Sequence, residues 1–71
     1  MDTHLKDILM EAVDDTVVAS QFNGGGIDFL SDVMNNFIRV YSERFGEDET
    51  AAVHAWEKPV VQNLLAAIEL L

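Results

Sequence analysis

Apolar residues recur every three or four positions along almost the whole chain. Between Thr3 and Phe22 they are Leu5, Ile8, Leu9, Ala12, Val13, Thr16 and Val17. Such spacing marks one face of an amphipathic helix. Asp2 or Thr3 suits its start, and Asp7, Glu11, Asp14 and Asp15 occupy the opposite face. A second stripe, Leu30, Val33, Met34, Phe37, Ile38, Tyr41 and Phe45, predicts a helix over about 28–45, with Asp28 as N-cap and Gly46 as stop. A third stripe, Val53, Trp56, Val60, Leu64, Ala67 and Leu71, follows the acidic "EDET" that Asp48 can cap. It predicts a helix over about 48–71. The expected architecture is all-α, a single domain spanning 1–71 in a compact three-helix arrangement.

Pro59 interrupts the third stripe. Proline disfavours the helical region at the residue before it, so the third helix is expected to be kinked or broken at Pro59, as one bent helix or two nearly coaxial ones. Glu57 falls inside the apolar arc of a continuous helix, and the kink is expected to rotate it out to water. Gly24, Gly25 and Gly26 end the first stripe. Three adjacent glycines read as a turn, and as a candidate hinge that lets the first helix change angle or cross to a neighbouring subunit.

The last stripe is too wide. From Val60 to Leu71, nine of twelve residues are apolar. Val61, Leu65 and Ile68 widen the stripe on one side and Leu70 on the other, giving an arc of about 200° at 100° per residue. One-sided packing uses little more than about 100°. A second surface is therefore expected over Trp56, Val61, Leu65, Ile68 and Leu70: a second copy of the chain, making a homodimer on 60–71, or another protein. Phe29, Val33 and Val40 flank the second stripe and point the same way.

Composition sharpens this expectation. A chain of 71 residues buries only about 60% of its unfolded surface and often needs a staple. There is no cysteine, which excludes disulfides and thiolate metal sites. Thirteen acids against four Lys and Arg give a net charge of −9. That balance opposes direct contact with nucleic acid or anionic membranes and favours a basic protein surface. The start of the chain lacks a signal-peptide pattern, and no apolar run reaches the about 20 residues that a bilayer span needs. A cytoplasmic location is expected.

Site chemistry is sparse. A phosphate cradle in "FNGGGIDFLS" would need a nearby cation, yet no Lys or Arg lies between Lys6 and Arg39, and Asp28 would repel the anion. "GIDFL" resembles the start of the second helix of acyl carrier proteins. Phe29 stands where their modified serine would be and Ser31 comes two residues later, so the resemblance stops short of a prosthetic group. His4 and His54 are isolated and lack zinc-site partners. No nucleophile, base and orienting acid come together, so no enzyme and no cofactor is expected. Asp7, Glu11, Asp14 and Asp15 repel one another at helical spacing. They form a solvated face, or one that meets cations on a target.

The leading expectation is thus a protein–protein interaction module, an inhibitor or adaptor that docks through an apolar patch with an acidic rim. By analogy of composition alone, such chains are common among phage proteins that act on host machinery. A nucleic-acid mimic and a bare dimerisation module are the alternatives.

Overall fold

The helical spacing is realised as four helices in the computed structural model, which describes residues 3–23 and 28–70, with side chains over 4–21 and 28–70. They are α1 (Thr3–Asn23), α2 (Phe29–Phe45), α3 (Glu49–Trp56) and α4 (Pro59–Glu69). No strand occurs among the described residues. The first two helices match the expected stripes. Asp28 caps α2 by accepting from the Ser31 backbone N–H, and Asp48 caps α3 by accepting from that of Ala51. Gly46 closes α2 in the left-handed region at φ 66°, and its N–H donates to the Ser42 carbonyl.

The third expected helix is two helices. Lys58 lies in the extended region (φ −63°, ψ 142°), where the following proline ring pushes it. Pro59 then takes the first position of α4, where a missing N–H removes no helical bond. The Gln62 side-chain amide donates to the Trp56 carbonyl at 2.7 Å and fastens the corner. The two pieces have different neighbours: α3 packs mainly on α2, and α4 mainly on α1. Glu57 sits in the break and is exposed, as the sequence led us to expect.

α1 and α2 form an antiparallel hairpin whose register is marked by polar contacts. Arg44 bonds Glu11, Arg39 bonds Asp15 at 2.7 Å, and Asn36 donates to the Thr16 hydroxyl at 2.8 Å. Thr16 is buried, and its hydroxyl donates in turn to the Ala12 carbonyl one turn back. Each buried polar side-chain atom among the described residues has a partner. A hydroxyl at this buried site is therefore tolerated.

The core is built on Leu5, Ile8, Leu9 and Ala12 of α1, Val33, Phe37 and Val40 of α2, Ala55 of α3, and Val61 and Leu65 of α4. Val40, which the stripe pattern placed on a flank, is in this core. Phe37 is its largest fully buried side chain. Trp56 meets Phe37 edge-on with ring centroids 5.3 Å apart, and Tyr41 stacks on Phe37 at 6.1 Å. The Cα radius of gyration of 11.8 Å is close to the about 11 Å of a compact chain of this length, so no helix stands off as an arm.

Two substitutions test this packing by thermal melting. Total stability near 0.05–0.15 kcal/mol per residue amounts to about 4–11 kcal/mol. Phe37→Ala is expected to cost about 3–5 kcal/mol, a large share of that total, and to lower the melting midpoint by at least about 12 °C. Gly46→Ala, forced into the left-handed region, should cost about 1–2 kcal/mol, or about 4–8 °C of midpoint per kcal/mol. A Phe37→Ala protein that melts with the parent would refute the core assignment.

Candidate functional site

The C-terminal residues expected to form an outer contact surface divide into three groups. Val61 and Leu65 are 0% and 6% exposed, inside the chain's own core. That corrects their assignment as contact residues. The break at Lys58 turns α4 against α1, so the face that a continuous helix would present outward faces inward. Ile68 and Trp56 are half-buried and pack against the core from its edge. Leu70 alone is largely open, at 89% exposure. Among the described apolar residues of 60–70, Val61 and Leu65 are buried, Val60, Leu64 and Ile68 are half-buried, and Ala66, Ala67 and Leu70 are exposed.

The acidic face of α1 divides too. Glu11 and Asp15 are engaged by Arg44 and Arg39 of α2, and Arg39 also lies 3.6 Å from Glu43. These two carboxylates serve the hairpin. Asp7 and Asp14 are exposed and make no ion pair among the described residues. A four-carboxylate array open to a target is thus reduced to Asp7 and Asp14, with the paired Glu11 between them and the paired Asp15 just beyond. Gly24, Gly25 and Gly26, the expected hinge, lie outside the described residues.

What remains open is apolar surface that the periodicity assigned to the core. Val17, Leu30 and Phe45 belong to the expected stripes, yet each is more than 40% exposed, and Phe29 is 36% exposed. Val18 is 52% exposed. Helical stripes run past the core at both ends. Leu30 stands in the first turn after the Asp28 cap, and its position there was the available sign that it would overshoot. On α1 the inward positions pass from Ala12 to Thr16 and the half-buried Ser20, and Val17 drops off the face.

α4 packs mainly on α1 and meets the first turns of α2 across a shallow seam. There a shallow groove of ≈ 270 Å³ opens, lined by Leu30, Ser31, Met34, Trp56, Gln62 and Leu65. Asp28 and Asp32 flank Leu30 and Ser31 on α2 and have no ion-pair partner among the described residues. A second shallow depression, along α3 at Glu49, Thr50, Val53 and His54, has no side chain from another helix. His4 meets Phe45 edge-on at 6.3 Å, and His54 lies exposed on α3. Among the described residues no group of three or more His, Asp or Glu could hold a metal ion. None of their helices is long and apolar enough to cross a membrane.

The division of the acidic face has a measurable consequence. Neutralising Glu11→Gln or Asp15→Asn should lower stability by about 0.2–1 kcal/mol each, since the pairs are partly solvated, and less so at high salt. Asp7→Asn and Asp14→Asn should leave stability unchanged or raise it by relieving repulsion. Chemical denaturation of the four variants at low and high salt checks this. Equal behaviour of all four would mean that the Arg39 and Arg44 contacts do not persist in solution.

Comparison with known proteins finds no matching family model, no matching curated protein and no matching solved structure.

Proposed function

We propose that the chain is a small cytosolic protein–protein interaction module, an inhibitor or adaptor that docks on a partner through apolar surface bordered by carboxylates. One observation carries this reading. Val17, Val18, Phe29, Leu30 and Leu70 stay exposed although the chain closes its own core, and acids without ion-pair partners accompany them. Large apolar side chains left in water mark a binding surface where they adjoin one another. The net charge of −9 selects a basic partner over a second copy of the chain, because two copies repel. The ground for a homodimer on 60–71 has narrowed, with Val61 and Leu65 taken into the core. Mimicry of nucleic acid is weakened by the internal pairing of Glu11 and Asp15.

Capture from a host lysate separates these readings. The full chain is immobilised beside Phe29→Ser/Leu70→Ser and Asp7→Lys/Asp14→Lys, and washed at about 0.1 M and about 1 M salt, where the Debye length falls from about 10 to about 3 Å. Docking predicts a partner that survives the high-salt wash and is lost with the Phe29/Leu70 pair. A partner released by salt and lost only with the Asp7/Asp14 pair would replace docking by mimicry. A chain of doubled mass in light scattering that captures nothing would replace it by self-association.

A further inference from the structure

We draw no further inference here: the strongest candidate, the shallow apolar groove where the first turns of α2 meet the end of α3 and α4 at Leu30, Met34 and Trp56, is an unpartnered apolar face, and nothing in the structure shows what covers it.

Discussion

The extended residue at Lys58, imposed by Pro59, governs how much of this chain is hidden. A straight helix from Glu49 to Glu69 would run about 30 Å at 1.5 Å per residue, nearly the 33 Å long axis of the molecule. It would carry Val61 and Leu65 past the helices able to cover them. The break lets α3 keep its contacts with α2 while α4 takes up α1. A chain with no cysteine thereby completes one core. The Gln62 to Trp56 bond holds the corner and satisfies a carbonyl that the end of α3 would otherwise leave open.

That corner needs a fixed hairpin to fold against. Hydrophobic faces alone allow helices to slide or rotate by a residue. Thr16 with Asn36, Asp15 with Arg39 and Glu11 with Arg44 mark one antiparallel register. The half-buried Thr16–Asn36 contact carries the greater specificity, since moving it out of register would take from the Asn36 amide its partner on α1. The two ion pairs add little energy where they are solvated. Their larger effect is on the surface, because they remove half of the α1 carboxylates from the field a partner would meet.

Much of the fold was legible in the sequence, and the parts that were not have identifiable causes. The α1 and α2 stripes, the Asp28 and Asp48 caps and the Gly46 stop depend on local backbone chemistry, which the sequence states directly. Pro59 was visible as a break, but the direction α4 takes after it depends on what lies alongside. A helical wheel has no term for that, and it placed Val61 and Leu65 on a surface when they are core. The pairing of Glu11 with Arg44 joins residues on two helices, beyond the reach of spacing rules within one. Leu30 counted as a stripe residue because periodicity does not register where a stripe outruns its core. The candidate groove arises from that overshoot, from the shallow seam between α4 and the first turns of α2, and from the half-burial of Trp56.

The central claim is that the chain shelters the inner face of its last helix, Val61 and Leu65, by itself and keeps its exposed apolar surface for something else. Amide hydrogen exchange on dilute protein tests it most directly. The account predicts that Leu64, Leu65 and Ile68 exchange as slowly as Leu9 and Phe37, with rates independent of protein concentration. Fast exchange throughout α4 in the dilute chain, slowing only as concentration rises, would show that a second copy covers this helix and would contradict the account.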